Sequence, residues 1–249
     1  MVHIFPDLGG RCGFDSVNDH LAFASDLMFH RSVGRKLDDN SLIGGRDWYK
    51  GQDTSKFNFR GGDFGTFLWT VDGVDYGRYY LPPTARNLDS PAEQIIAQMD
   101  YAGIDRALIQ AGHTYGRLNE YQADVISRYH DRFWALASVE EWRVDNSSQF
   151  QELDRAIIDL GLRGLFFNTA SISHRGRTEK LDDLIFYPFW DHVRDLGIPV
   201  FWNITTSDPG QEAWMEVHAA FGRWVEAIRK YRRFTHTASR CIDSGGMVR

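Results

Sequence analysis

Cysteine is scarce in this chain of 249 residues. Cys12 and Cys241 are the only two, far apart and outside any Cys-x-x-Cys pair, so neither a zinc knuckle nor a disulfide framework is encoded. No apolar run approaches the ~18 residues that span a bilayer. The opening Met-Val-His-Ile-Phe-Pro-Asp has neither the basic nor the apolar region of a signal peptide. A cytoplasmic protein with no membrane partner is expected. Positive charge is also lacking: 28 Lys and Arg against 34 Asp and Glu leave a formal charge of −6, and Arg229, Lys230, Arg232 and Arg233 form a short run at a solvated helix end, so nucleic acid is not an expected partner. There is no internal repeat, low-complexity tract, Gly-x-Ser-x-Gly elbow or phosphate loop, and no Gly-x-Gly-x-x-Gly turn after a strand, which counts against a dinucleotide-binding sheet.

What is present suits an ordinary globular protein. With 43% hydrophobic and 25% charged residues, the chain can bury a substantial core, and a single domain over 1–249 is the simplest reading. From about residue 91, helical patterns alternate with short apolar runs, as in βα units that build a parallel sheet. Ser90, Pro91 and Glu93 read as an N-cap, a first-turn proline and a capping-box acid, Ile95, Ile96 and Met99 form the apolar stripe, and Gly103 stops the helix. Strands are expected at 106–110, 133–139, 164–168, 198–202 and 234–235, with helices near 119–130, 150–160, 186–196 and 211–231. This spacing suits a doubly wound sheet or a closed barrel, and periodicity does not choose between them.

Residues 7–90 break the rhythm. They read as a long insertion after a first strand, and Phe64 to Tyr80 alternates around Asp72-Gly73, a strong hairpin signal. The insertion could cover one end of a barrel or form a small subdomain. Its aromatics, Trp48, Tyr49, Phe57, Phe59, Phe64, Phe67 and Trp69, read as packing for this insertion rather than as a pocket lining.

Several phrases stand in a telling order: Met99-Asp100-Tyr101-Ala102-Gly103-Ile104-Asp105-Arg106-Ala107, Asn119-Glu120-Tyr121, Asp131-Arg132-Phe133, Gly161-Leu162-Arg163-Gly164, and Tyr187-Pro188-Phe189-Trp190 running to Leu196-Gly197-Ile198-Pro199-Val200. Together they resemble the amidohydrolase-related family of metal-dependent hydrolases and non-oxidative decarboxylases, which act on small aromatic or carboxylated substrates. The resemblance implies an α/β fold of the (β/α)8 TIM-barrel type. About six βα units are recognisable, so an incomplete barrel, truncated relative to the family, is expected.

The same resemblance implies a site. His3 in His3-Ile4-Phe5-Pro6 stands where the second histidine of a metal-binding His-x-His pair would be, with Met1 at the first position. Asn203 follows the apolar run 199–202 where the family places a metal-binding histidine, and Thr235-His236 resembles its Thr-His at the end of the sixth strand, although Thr237-Ala238-Ser239 lacks the usual glycine turn. The implied cofactor is a divalent metal, zinc, on His3, Asn203 and His236, with His236 and His113 as catalytic residues. The family's aspartate after the eighth strand has no counterpart, since Asp243 is only seven residues past His236. His113 follows a strand, where barrel enzymes place substrate loops. Asn168, Ser171, His174, Arg175 and Arg177 form a loop that could meet an anionic substrate, because arginine forks onto carboxylates; Asn168, His174 and Arg175 are the substrate-binding candidates. A solvated loop and closing hydrogen bonds are the ordinary structural roles for these positions. Two functions follow: an enzyme on a small-molecule substrate, or a catalytically impaired barrel remnant that binds a ligand or associates as a homo-oligomer through exposed strand edges. In the enzyme, His3, Asn203 and His236 should converge at the C-terminal ends of their strands.

Overall fold

The computed structural model describes residues 1–31, 34–43, 53–82, 85–112, 115–173, 176–206, 210–229 and 236–238. It consists of two compact units, Met1–Ala135 and Leu136–Arg249.

In the first unit, Val2 bridges Ile109 in parallel, and β6 (Ala107–Ile109) pairs in parallel with β7 (Phe133–Ala135). Between these strands run α2 (Ala92–Ala102) and α3 (Asn119–Arg128). The parallel neighbours therefore follow chain order, as in consecutive βα units. The expected start of α2 is corrected in one respect. Its N-cap is Pro91, with no side-chain cap, because the Ser90 hydroxyl donates instead to the His3 carbonyl at 2.9 Å and Ser90 bridges Phe5. Glu93 does not close a capping box either; Tyr129 Oη donates to its carboxylate at 2.6 Å. Long-range contacts with the N-terminal segment and α3 outcompete the local motif.

The insertion carries a helix that sequence patterning missed, α1 (Val17–Arg31), and a five-stranded antiparallel sheet. Its strands are β1 (Gly34–Lys36), β2 (Leu42–Ile43), β3 (Arg60–Gly61), β4 (Thr66–Val71) and β5 (Val74–Tyr79), in the order β2-β1-β5-β4-β3. Ser16 and Asp19 supply the start of α1: the Asp19 N–H donates to Ser16 Oγ at 3.1 Å, and that hydroxyl donates back to the Asp19 carboxylate at 2.6 Å. The β4–β5 hairpin turns at Asp72 (φ 49°) and Gly73 (φ 77°), two left-handed residues whose twist matches that of the strands. Phe67 and Trp69 point to the buried face, where Phe29 of α1 meets Trp69 edge-on at 5.4 Å and Phe59 stacks on Phe67 at 5.0 Å. Each such buried ring contributes about 1.5–3 kcal/mol. Phe57, Phe59, Phe67 and Trp69 are packing residues, as expected; Phe64 is 58% exposed at a left-handed position, and Trp48 and Tyr49 lie outside the described residues.

In the second unit, β8 (Leu165–Asn168), β9 (Val200–Asn203) and β10 (His236–Ala238) are parallel in the order β10-β9-β8, and Ala137 bridges Leu165. Helices α4 (Ser147–Asp154), α5 (Tyr187–Leu196) and α6 (Gln211–Arg229) alternate with them. The core is an aromatic stack: Trp202 meets Trp224 at 4.5 Å, Trp190 at 5.1 Å and Phe167 at 5.2 Å. Gly164 lets the strands approach, since a Cβ there would lie 2.7 Å from the Pro199 carbonyl oxygen that accepts the Leu165 N–H. The strand expected at 234–235 lies outside the described residues; Thr237 and Ala238, which lack the usual glycine turn, are in β10.

Candidate functional site

His3 follows Val2, whose N–H donates to the Leu108 carbonyl at 2.9 Å and whose carbonyl accepts the Gln110 N–H at 3.0 Å. These bonds bring His3 beside the C-terminal end of β6. Its Nδ1 lies 3.0 Å from the Gln110 carbonyl oxygen, which can only accept, so Nδ1 carries the proton and Nε2 keeps its lone pair. A metal-binding histidine uses the same arrangement to fix its tautomer. The ring packs 5.1 Å from Tyr115, itself stacked on Phe5 at 4.4 Å. His3 is exposed by its surface area, yet the protein around the ring disfavours the imidazolium. Its pKa falls below the ordinary value, an effect that outweighs the opposing hydrogen bond to Gln110 and is reinforced by the N-terminal ammonium.

In the second unit, Asn168 and Asn203 are register partners at the ends of β8 and β9. Asn168 is committed to the local structure: its N–H donates to Glu141 Oε1 at 2.9 Å, and its Oδ1 accepts the Ala170 N–H at 3.1 Å. The Thr169 hydroxyl donates to the Thr205 carbonyl at 2.7 Å, accepts the Thr205 N–H at 2.9 Å and lies 3.3 Å from the Asn203 carbonyl, which joins the two strand ends. His236 begins β10 rather than ending a strand, and the register sets its backbone opposite Val200, not Asn203. Three residues of offset is about 10 Å along the strand. The side chain of His236 and all of His113, His174 and Arg175 lie outside the described residues.

Two functional candidates were not singled out in the sequence. Glu141, 1% exposed, holds Asn168 as described; the Glu140-Glu141 pair directly after a strand run was the available signal. Gln110 ends the run 106–110 with a polar residue, the other available signal. Arg177 is structural: it donates to the Trp142 carbonyl at 2.8 Å and pairs with Asp145 and Glu179 at 2.7 and 3.0 Å. Past the ends of β8 and β9 lies a cavity of about 360 Å³, walled by Thr169, Ile172, Leu181, Val217 and Ala220 and bordered by the Lys180–Glu216 ion pair at 2.7 Å. Among the described residues, no three His, Cys, Asp or Glu gather as a cation site. His3, neutral and with Nε2 unprotonated, has the donor chemistry of one metal ligand, and the Asn203 amide oxygen that of a hard-cation ligand.

Within each unit, successive parallel strands joined by helices, with polar residues at the strand ends, define an α/β scaffold. The chain belongs to the amidohydrolase family, whose sequence profile matches residues 20–239. Over 86 residues it is 36% identical to the gamma-resorcylate decarboxylase of Rhizobium radiobacter, an alignment covering 34% of this chain and 26% of that protein. The structure matches 2,6-dihydroxybenzoate decarboxylase from Rhizobium with a TM-score of 0.51 at 20% identity, covering 61% of this chain and 56% of that one. It matches a dihydroxybenzoic acid decarboxylase from Polaromonas sp. JS666, solved with manganese and 2-nitroresorcinol, with a TM-score of 0.51 at 18% identity, covering 61% and 55%. The fold is thus of the TIM-barrel type, and the chain spans about half the length of its solved relatives. No helix among the described residues is long and apolar enough to cross a membrane.

Proposed function

We propose that this protein is a metal-dependent, non-oxidative decarboxylase of a small hydroxylated aromatic carboxylate. The observation that carries the reading is His3, an imidazole whose Nδ1 is tied to the Gln110 carbonyl so that Nε2 keeps its lone pair, in a chain of the amidohydrolase family. The activities named for its relatives support the substrate class.

In this proposal His3, Asn203 and His236 hold a divalent ion. The Asn203 amide favours a hard cation such as manganese over zinc, and the register of β10 makes His236 the weakest of the three. When bound, such an ion supplies an electrophilic anchor for substrate oxygens. Asn168, whose Oδ1 is taken by the Ala170 N–H, is assigned with His174 and Arg175 on the same loop to the substrate carboxylate. As the ring–carboxylate bond breaks and carbon dioxide leaves, His113, or His236 where it does not hold the ion, delivers a proton to the ring carbon. A single domain over 1–249, a cytoplasmic setting and self-association complete the proposal.

The test is to purify the protein without chelators, measure bound manganese, zinc and iron by elemental analysis, and follow carbon dioxide release from a panel of hydroxybenzoates. Stoichiometric metal, lost in His3→Ala, with release of the matching phenol is the expected result. Absence of stoichiometric metal would sink the metal-dependent chemistry, and turnover of lactones without carbon dioxide would make the protein a hydrolase.

A further inference from the structure

We propose that Gln110 selects for a hydroxyl group on the ligand that binds at His3, with its carboxamide oxygen as the acceptor. Gln110 lies one residue past β6, is 5% exposed, and brackets a single imidazole. Its carbonyl takes the Nδ1 proton at 3.0 Å, and its side-chain Nε2 lies 3.5 Å from His3 Nε2, at the long limit of a hydrogen bond. The tautomer orients the amide. Because Nδ1 carries the proton, Nε2 of His3 is an acceptor in the metal-free protein and faces the NH2 group, so the Gln110 oxygen points elsewhere. That oxygen is buried and has no hydrogen-bond partner among the described residues.

A buried carbonyl oxygen without a donor costs stability in the free protein, and an apolar side chain of the same shape would avoid the cost. Its retention beside His3, the histidine assigned as a metal ligand under the proposed function, is accounted for if a bound molecule supplies the missing proton donor. A hydroxyl on the ligand does so. A ligand lacking that hydroxyl leaves the oxygen unpaired and is rejected, the asymmetry by which buried polar groups discriminate between otherwise identical molecules. This inference deepens the proposed function, since it assigns the hydroxyl of the substrate class to a particular atom, and it rests on that reading for the identity of the ring.

The experiment compares 2-hydroxybenzoate with benzoate, which differ by one hydroxyl, binding to the wild type and to Gln110→Met. Calorimetric titrations are run with and without manganese, and thermal melts of the ligand-free proteins are recorded. The wild type should prefer 2-hydroxybenzoate by at least about tenfold, equal to about 1.4 kcal/mol, and Gln110→Met should reduce the preference to about twofold or less. The ligand-free variant should melt at the wild-type temperature or above, because an unpaired oxygen has been removed. A preference that survives in Gln110→Met, a wild type that does not discriminate or binds neither molecule, or a variant that melts clearly lower would each overturn the proposal, the last by showing that Gln110 is bonded for structure. Failure of the proposed function is separable: a protein that holds no metal and releases no carbon dioxide, yet prefers the hydroxyl through Gln110, refutes the decarboxylase and leaves this inference standing.

Discussion

Replacing Gly164 with alanine should destabilise the protein, and the structure gives the size of the effect. The added Cβ would lie 2.7 Å from the Pro199 carbonyl oxygen, 3.0 Å from Pro199 Cγ and 3.1 Å from Leu136 Cδ2. The first of these partners is backbone and cannot rotate away. It is also the acceptor for the Leu165 N–H at 2.9 Å, so relieving the clash pulls against the bond that joins β8 to the segment entering β9. Overpacking of this kind costs about 1–3 kcal/mol. The weakened hydrogen bond adds about 1 kcal/mol, and reduced freedom of the unfolded chain returns about 0.4–1 kcal/mol. The net expectation is a loss of about 2 kcal/mol, or about 4–8 °C in melting temperature for a chain of this size. Gly222→Ala is the control. Gly222 sits in α6 with nothing within 4 Å of its would-be Cβ, so the same chemical change there should stabilise by about 0.5–1 kcal/mol. Scanning calorimetry of both variants reads the difference; a Gly164→Ala protein as stable as the wild type would show that the strands are not in this close approach.

Three further outcomes are expected. His3 and His20 both have pKa values below the ordinary 6.5, each chiefly through desolvation, so in an NMR titration their midpoints should fall below that of a free histidine; the neutral forms are favoured in the fold, so their contribution to stability is intact above pH 6.5 and lost as the pH falls through the folded-state midpoints. A midpoint at or above 6.5 for His3 would remove the desolvation argument. The Cys12 thiol, pushed up to about 12 mainly by burial, should resist iodoacetamide at pH 8 until denaturant is added, as mapped by mass spectrometry; rapid labelling in the native protein contradicts its burial. Trp224, 0% exposed in the aromatic stack, should cost about 3–5 kcal/mol as Trp224→Ala in denaturant unfolding, and a loss under about 1 kcal/mol would mean that the stack is not the core of its unit.

The alternation of helices and strands from residue 91 onward was legible because each element carries its own period: Ala107-Leu108-Ile109 is a strand covered on both faces, and Gln211–Arg229 keeps one apolar face over its length. The Asp72-Gly73 hairpin was legible because a two-residue left-handed turn admits few residue pairs. Helix α1 was not, because its apolar residues do not gather into a clear stripe; its capping pair, Ser16 and Asp19, was the available sign.

The candidate site divides in the same way. From its sequence alone this protein was identified with the amidohydrolase family, with βα units in chain order and with His3 as a residue of chemical interest, since those conclusions depend on local pattern and on residue types at set spacings. Only the tertiary structure decided what each side chain is used for. Ser90 gives its hydroxyl to His3 rather than to its own helix, Asn168 is committed to a turn, Arg177 is taken up by Asp145 and Glu179, and Gln110 brackets an imidazole from 107 positions away in the chain. Hydrogen bonding and desolvation act through distance in space, and no local reading of a chain contains the distances between segments that folding brings together.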